Sequence, residues 1–276
     1  MTISPSLSGP PPIPAAAAPP AARRLRALRA IGALVLREIG TSNGRSPLGY
    51  LWEIVEPVAF ILLLTFLFGL FLQAPPLGTS FALFYASGVL PLVTFLEVTN
   101  RVSGAVRFSR PLLGYPGVTF LDAILARFLV AALSKAIVFA AVLALLALLW
   151  RVDMAPDLPR LAGGVAATLL LALAFGTMNC LLAAFVPLYD RVWGLATKPL
   201  LVVSAVLYLF QTVPLPYREW LWWNPVVHLV GLVRRGVYPT YPADYVSPAY
   251  LATLVLLTLP AALFFLGRYW RALIED

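Results

Sequence analysis

Long apolar runs, separated by short polar segments, dominate the pattern of hydrophobic and polar positions along the chain. An apolar run of about eighteen residues or more is long enough to cross a hydrocarbon core of about 30 Å as a helix. The pattern therefore predicts an all-α integral membrane protein with six transmembrane helices. The predicted spans are Leu51–Leu72, Phe81–Thr99, Ile124–Trp150, Leu161–Pro187, Thr197–Val213 and Ala249–Trp270.

Two segments of different character precede the spans. Residues 1–22 are rich in proline and alanine, and this composition predicts a disordered tail because it cannot form a buried core. Residues 23–40 place apolar side chains such as Leu28 and Val35 on one helical face and most arginines off it, which predicts a basic amphipathic helix in the cytoplasmic membrane interface. A simple basic anchor would give the same pattern. The rest of the chain, 41–276, is the predicted six-span membrane domain.

The connection before the last predicted span, Pro214–Pro248, is too long to be a simple turn. Its apolar part, Val226–Val233, is too short to cross the bilayer, so it is either an interfacial helix or part of a re-entrant pair. Tryptophan and tyrosine are dense along this connection. They are typical of an interfacial belt, and they would also suit stacking against the apolar faces of sugar rings.

Charge and composition exclude several classes of function. The net charge of +8 is concentrated in segments that would be cytoplasmic with both termini inside, so it reflects membrane topology and not nucleic-acid binding. The two lysines, Lys135 and Lys198, do not follow a glycine, so a GxxxxGK[ST] phosphate loop is absent from the sequence. Any ATP and Mg²⁺ must bind another chain, and neither a cofactor nor a metal site is expected here.

Two carboxylates open the first predicted span in the stretch RSPLGYLWEIVEP, Arg45–Pro57. Glu53 and Glu56 are three residues apart and share a helix face. They either complement the positive end of the helix dipole or face a polar pathway or a cytoplasmic partner. A paired-carboxylate hydrolase is disfavoured because a companion nucleophile is lacking. Pro57 is expected to bend or loosen the helix here, since it removes the usual partner of the Glu53 carbonyl.

Three other charged residues fall in or near the predicted spans. Such residues usually face a bundle interior or a water-filled cavity and often pair with one another. Glu97 and Arg127 lie toward the same cytoplasmic side and could pair, or Arg127 could extend to the interface alone. Lys135 lies deeper, where it either lines a transport pathway or makes a hydrogen bond within or between helices.

Three separated motifs resemble those of a known family. They are GRSPLGYLWEIVEPVAFILLLTFLFG at the first span, RPLLGYPGVTFLDAILAR after the second, and WNPVVHLVGLVRRGVYPTY before the last. In this order they are similar to the motifs of ABC type-2 polysaccharide exporters, and most of all to those of capsular polysaccharide export permeases. The similarity runs from Arg23 to the C-terminus and leaves out the tail.

The resemblance implies a transport function and a set of partners. Two copies of such a permease associate with two cytoplasmic ATPase subunits, which bind the ATP and Mg²⁺. The dimer moves lipid-linked, acidic capsular polysaccharide across the bacterial inner membrane, and a periplasmic or outer-membrane partner is expected to continue the path. The chain is a multi-pass inner-membrane protein in this reading, with both termini cytoplasmic, and is not itself an enzyme.

The resemblance also assigns residues by position. Asn100–Asp122 would include the helix that contacts the ATPase, and Tyr217–Tyr238 would form paired periplasmic gate helices between the fifth and sixth spans, with a break at Asn224–Pro225. The candidate residues of the substrate entrance and channel are Arg45, Tyr50, Trp52, Glu53, Glu56 and Lys135. Those of the periplasmic gate are Tyr217, Trp220, Trp222, Trp223, Asn224, His228, Arg234 and Arg235. Those of the ATPase contact are Arg101, Arg107, Arg110, Tyr115 and Asp122.

Other functions remain open on the sequence alone. An exporter of O-antigen, teichoic acid or a small molecule would have the same six-span plan. A membrane glycosyltransferase is disfavoured, since the sequence has no DxD motif and no cytoplasmic domain large enough for a nucleotide-sugar site. A passive channel or scaffold would differ by having no ATPase partner.

Overall fold

The computed structural model describes residues 29, 31–38, 40, 48–113, 119–150 and 155–269. This part of the chain is built of helices and contains no strand, which confirms the predicted all-α membrane class. The predicted tail, eight of the eighteen residues of the predicted interface helix, Arg45 and Tyr115 lie outside the described residues.

Ten α-helices follow one another along the described chain after a first helical segment at residues 31–38. They are α1 (Leu48–Gly69), α2 (Phe81–Ser103), α3 (Ala105–Leu113), α4 (Phe120–Trp150), α5 (Leu158–Phe185), α6 (Tyr189–Thr197), α7 (Leu200–Val203), α8 (Tyr217–Trp222), α9 (Pro225–Val237) and α10 (Pro248–Tyr269). A short 3₁₀ turn, Phe210–Thr212, lies between α7 and α8.

Within the described residues, five helices are long and apolar enough to cross a membrane: α1, α2 (which continues into α3), α4, α5 and α10. They match the first four and the last of the predicted spans to within a few residues. We call the end of the bundle where α2 finishes and α4 begins the α3 end. The opposite end, where α2 and α5 begin, is the α8 end.

The fifth predicted span is not one helix, and the expectation of a continuous helix over Thr197–Val213 is wrong. Helix α6 ends at Thr197, α7 covers only Leu200–Val203, and the chain is irregular from there to the 3₁₀ turn. Pro199 interrupts the ladder because it has no N–H to donate, and Ala205 takes a positive φ of 55°, which ends the helical path. Whether this segment crosses the membrane stays a prediction.

Helices α8 and α9 fill the long connection, with their break at Asn224–Pro225 as expected. The Asn224 side chain caps α9 by accepting a hydrogen bond of 3.0 Å from the N–H of Val226. Although α9 is too short to span, ten of its thirteen residues are buried, mainly against α2 and α5. Of the two predicted alternatives, this burial favours a re-entrant helix over an interfacial one.

Helix α2 forms the centre of the bundle and packs against α1, α4, α5 and α9. Two glycines allow close backbone approach at these contacts, as small residues commonly do between membrane helices. An added Cβ at Gly176 would lie 2.6 Å from the Cβ of Val102, and one at Gly236 would lie 2.5 Å from the Cα of Leu161. The α2–α5 and α9–α5 contacts therefore depend on the absence of a side chain.

We expect Gly176→Ala and Gly236→Ala each to lower the free energy of unfolding by about 1–3 kcal/mol, the usual cost of overpacking. Gly163→Ala is the matched control, because an added Cβ there meets nothing within 4 Å, and alanine favours the helix. Unfolding in mixed micelles would measure all three. Equal stabilities of the Gly236 and Gly163 variants would contradict the packing argument.

Candidate functional site

An ion-pair network joins three helices near the α3 end. Arg101, near the end of α2, places its Nη2 2.5 Å from the Oε1 of Glu53 in α1. Ser134 in α4 donates a hydrogen bond to the other carboxylate oxygen of the same glutamate. Both side chains of the ion pair are largely withdrawn from solvent, at 14% exposure for Glu53 and 23% for Arg101. One carboxylate thus fixes α1 against both of its neighbours.

Lys135 extends this network deeper into the bundle. Its Nζ forms an ion pair with Glu97 of α2 and lies 4.0 Å from the Oε2 of Glu53. The lysine side chain is only 3% exposed. A buried ammonium is tolerated only beside carboxylates, so the two glutamates account for its presence. This arrangement matches the predicted interhelical bond, and a role in the pathway stays a prediction.

The pairing suggested for Glu97 with Arg127 is not found. Arg127 instead places its Nε 3.3 Å from the Oε1 of Glu38, in the helical segment 31–38. It also donates a hydrogen bond of 3.2 Å to the carbonyl of Gly104, and its guanidinium lies over the ring of Phe108 at 4.4 Å. The sequence could not rank these partners because Glu38 lies about ninety positions away and before the first span.

Helix α3 follows α2 after a single residue, Gly104, and is held at several points. Arg107 forms an ion pair of 3.1 Å with Asp190 of α6, and Trp193 of α6 donates a hydrogen bond of 3.1 Å to the Asn100 side chain. Arg107 and Arg110 also border a pocket of about 210 Å³. Helix α3 is therefore linked to α2 through Gly104 and to α6 through the Arg107–Asp190 ion pair.

The remaining residues assigned to the entrance and the ATPase contact lie apart from these pairs. Trp52 and Glu56 are exposed on α1, and Tyr50 lies in the first turn of that helix. Asp122 is buried and accepts hydrogen bonds from the N–H and hydroxyl of Thr119, so it caps the start of α4. These positions do not test the roles predicted for the residues.

At the α8 end, Arg234 is fully buried and has no carboxylate among its contacts in the described chain. Its guanidinium donates hydrogen bonds of 2.7, 2.8 and 3.0 Å to the carbonyls of Ala205, Val206 and Tyr208. It also lies 4.4 Å from the ring of Phe84. Because α7 ends at Val203, these three carbonyls have no backbone N–H of a following helical turn to accept from. The guanidinium N–H groups of Arg234 are the donors that take their place.

His228 is held between two backbone groups in the same region. Its Nδ1 accepts a hydrogen bond of 3.1 Å from the N–H of Ser247, so its Nε2 carries the proton and donates to the carbonyl of Trp222 at 2.8 Å. The rings of Trp222, Tyr245 and Tyr250 surround it. Burial lowers the pKa of His228, although the bond to Trp222 acts in the opposite direction.

Stability should consequently fall on mild acidification. The unfolded chain takes up the His228 proton at about pH 6.5, whereas the folded chain does so only at lower pH, so the free energy of unfolding decreases as pH falls below that value. Thermal unfolding at about pH 8 and about pH 5.5, on either side of the unfolded-state pKa, should show a larger loss in the wild type than in His228→Gln. Equal losses would contradict a lowered pKa of His228 in the folded protein.

Of the other predicted gate residues, some make contacts between helices and some are exposed on the surface. Asn224 joins α7 to α9, because its amide donates to the carbonyl of Val203 and the hydroxyl of Ser204 at 3.1 and 2.9 Å. The exposed ones are Tyr217, Trp220, Trp223 and Arg235.

Comparison of the sequence with models of known protein families gives a match over most of the helices described above. The family model described as ABC-2 type transporter matches residues 29–238, which is most of the chain. The chain belongs to the ABC-2 type transporter family. The match covers the helical segment 31–38, the ion-pair network, α3 and α9.

Curated relatives within the ABC-2 family are similar over nearly the same region. The polysialic acid transport protein KpsM of Escherichia coli is 34% identical over 235 residues, covering 83% of this chain and 89% of the relative. The capsule polysaccharide export inner-membrane protein CtrC of Neisseria meningitidis is 29% identical, covering 83% and 87%. The capsule polysaccharide export inner-membrane protein BexB of Haemophilus influenzae is 26% identical, covering 81% and 84%. The resemblance predicted from the three motifs is confirmed.

Several contact residues of this ABC-2 protein were not predicted from the sequence. Ser134 is an ordinary polar residue in an apolar run, and only the fold places it beside Glu53. Asp190 and Glu38 lie outside the segments assigned to the ATPase contact. The one usable signal was Gly104, a glycine between an apolar span and a short basic segment, which marks the boundary of α3.

Proposed function

We propose that the chain is the membrane-spanning subunit of an ATP-driven exporter that moves lipid-linked capsular polysaccharide across the bacterial inner membrane. The observation that carries this proposal is the similarity over most of the chain to ABC-2 relatives named for transport or export of capsular polymers. The polymer named for one of them, polysialic acid, is acidic, and we extend that property to this chain's substrate.

The working complex in this proposal contains two copies of the chain and two ATPase subunits, which hold the ATP and Mg²⁺. The exposed apolar faces of α1 and α10 leave room for a second copy or for lipid. The α3 end is cytoplasmic and the α8 end periplasmic, with both termini inside, as the distribution of positive charge favours. A periplasmic or outer-membrane partner would receive the polymer.

The contacts at the α3 end support a route for mechanical coupling. An ATPase that moves α3 would act on α2 through Gly104 and on α6 through the Arg107–Asp190 pair. From α2 the movement would reach α1 through Arg101 and Glu53, and α4 through Glu97 and Lys135. Apart from the direct chain connection at Gly104, each step is a charged contact between neighbouring helices, so ATP-driven closure could change the spacing of the spans together.

The α8 end would then form the gate in this proposal. Helix α9 is fastened to the broken segment by Arg234 and Asn224. Because α7 is short and the chain beyond it irregular, this segment is where α9 could shift without bending a long helix. Export of O-antigen, teichoic acid or a small molecule is the alternative, and no described residue favours it over capsular polysaccharide.

Polymer location in cells tests the proposal. Removing the chain from a capsule-forming strain should leave lipid-linked polymer inside the cell, and restoring it should return polymer to the surface. The double variant Arg107→Glu, Arg110→Glu should insert in the membrane yet retain polymer inside, while Arg191→Gln, an exposed change on α6, should export normally. Undiminished surface polymer in cells lacking the chain would contradict the proposal.

A further inference from the structure

A cavity of about 520 Å³ opens at the α8 end, separate from the ion-pair network and from the surface of α3. It lies between the 3₁₀ turn, α8 and the segment that precedes α10. Its volume falls within the roughly 300–1,000 Å³ of typical small-ligand sites. Three aromatic and three charged residues give it its chemical character: Phe210, Trp222, Tyr245, Arg218, Glu219 and Asp244.

The aromatic wall of the cavity is held in place by contacts within the protein. Phe210 and Tyr245 stack with ring centroids 4.2 Å apart. The Nε1 of Trp222 donates a hydrogen bond of 2.9 Å to the carbonyl of Tyr245. These contacts fix the wall before any ligand arrives, which lowers the entropic cost of binding.

The charged rim, by contrast, has unused hydrogen-bonding capacity. The side chains of Arg218, Glu219 and Asp244 make no hydrogen bond or ion pair with any other described residue. The neighbouring Gln211 is already engaged at both ends of its amide, since it accepts from the Tyr241 hydroxyl and donates to the carbonyl of Pro242. The free groups at the rim are therefore charged acceptors and one guanidinium donor, all beside the aromatic wall.

We propose that this cavity is a carbohydrate-binding subsite that holds one or two pyranose units of the polymer at the outer face of the permease, a role that rests on the proposed function. The apolar C–H face of a pyranose packs against aromatic rings. Its hydroxyl groups donate to the carboxylates of Glu219 and Asp244, and Arg218 donates to a hydroxyl or to a sugar carboxylate.

Binding of polymer fragments tests the subsite. The full chain, in lipid nanodiscs with its copurified ATPase, is titrated with fragments of two to four sugar units cut from the strain's own exported polymer. Tryptophan fluorescence reports binding at Trp222. The double variant Arg218→Gln, Asp244→Asn should lower the affinity about tenfold or more, since hydrogen bonds to charged groups are lost. Arg191→Gln, an exposed charge at the α3 end, should bind as the wild type does.

The outcomes below test the carbohydrate-binding subsite and not the proposed export function. Unchanged fragment affinity in the double variant would overturn it, as would equal binding of a short polyglutamate probe, which would indicate charge attraction only. If the variants export normally in vesicles but lose polymer at the cell surface, the cavity takes a protein partner and the subsite is again overturned. Glu219→Gln gives a second variant, and size-exclusion chromatography establishes that each is folded. ATP-driven export by the wild type in the same preparation reports on the proposed function separately.

Discussion

Replacing Glu53 by alanine should destabilise the protein by about 3 kcal/mol, the lower end of the cost of breaking a buried ion pair. The carboxylate is the common partner of Arg101, Ser134 and Lys135. Its removal leaves two cations facing each other between α2 and α4, with Glu97 as the remaining carboxylate among the described residues of the network. Denaturation in mixed micelles would measure the loss, and ATP-driven export should fall with it because α1 loses its ion pair to α2.

Glu56→Ala is the matched control for this prediction. Glu56 lies three residues further along the same helix, is exposed, and makes no hydrogen bond or ion pair with another described side chain, so its loss should change stability by less than about 0.5 kcal/mol. The double variant Glu53→Ala, Arg101→Met should recover part of the loss, because it removes the unpaired cation. If Glu53→Ala and Glu56→Ala behaved alike, the network would not join the helices.

Replacing Arg234 by methionine should produce the second large effect, a loss of about 2–4 kcal/mol. Methionine fills a similar volume without the cost of burying a charge, but it leaves the carbonyls of Ala205, Val206 and Tyr208 without donors at about 1–3 kcal/mol for each unsatisfied buried group. The loss should be local. Hydrogen–deuterium exchange should rise in α9 and in the segment after α7 more than in α2 or α5.

The adjacent arginine supplies the control. Arg235 is exposed, so Arg235→Met should leave both stability and exchange nearly unchanged. Arg234→Lys should be intermediate, since an ammonium keeps the charge and three donors but lacks the planar fork that reaches several carbonyls at once. Comparable exchange in the Arg234→Met and Arg235→Met proteins would show that the guanidinium does not hold the broken segment.

The sequence predicted those parts of the fold that depend on local pattern. Apolar runs of helical length gave five of the spans, and Asn224–Pro225 marked the start of α9, because an N-cap and a proline in the first turn are local signals. The segment Thr197–Val213 was mispredicted for the same reason. Its apolar composition suits a continuous helix, and Pro199 is a local sign of a break, but the irregular path beyond α7 is held by Arg234, which comes nearly thirty positions later.

The candidate site was predictable only in part. The sequence identified Glu53 and Lys135 as unusual charges, since ionisable residues in spans are rare. It could not assign their partners, because Arg101, Ser134 and Glu97 come from other helices whose rotation and depth depend on packing. This is why the pairing of Glu97 with Arg127 was wrong. The sequence placed both residues toward the same end of the bundle, but it could not show which neighbouring helix each side chain faces.

Transport in a purified system tests the central claim most directly. The chain and its copurified ATPase are reconstituted into vesicles with the α3 end facing outward, and lipid-linked polymer is supplied in the outer leaflet. The account predicts that polymer becomes protected inside the vesicles only when ATP is hydrolysed and both subunits are present. Equal protection without this chain, or with a nucleotide that cannot be hydrolysed, would contradict it.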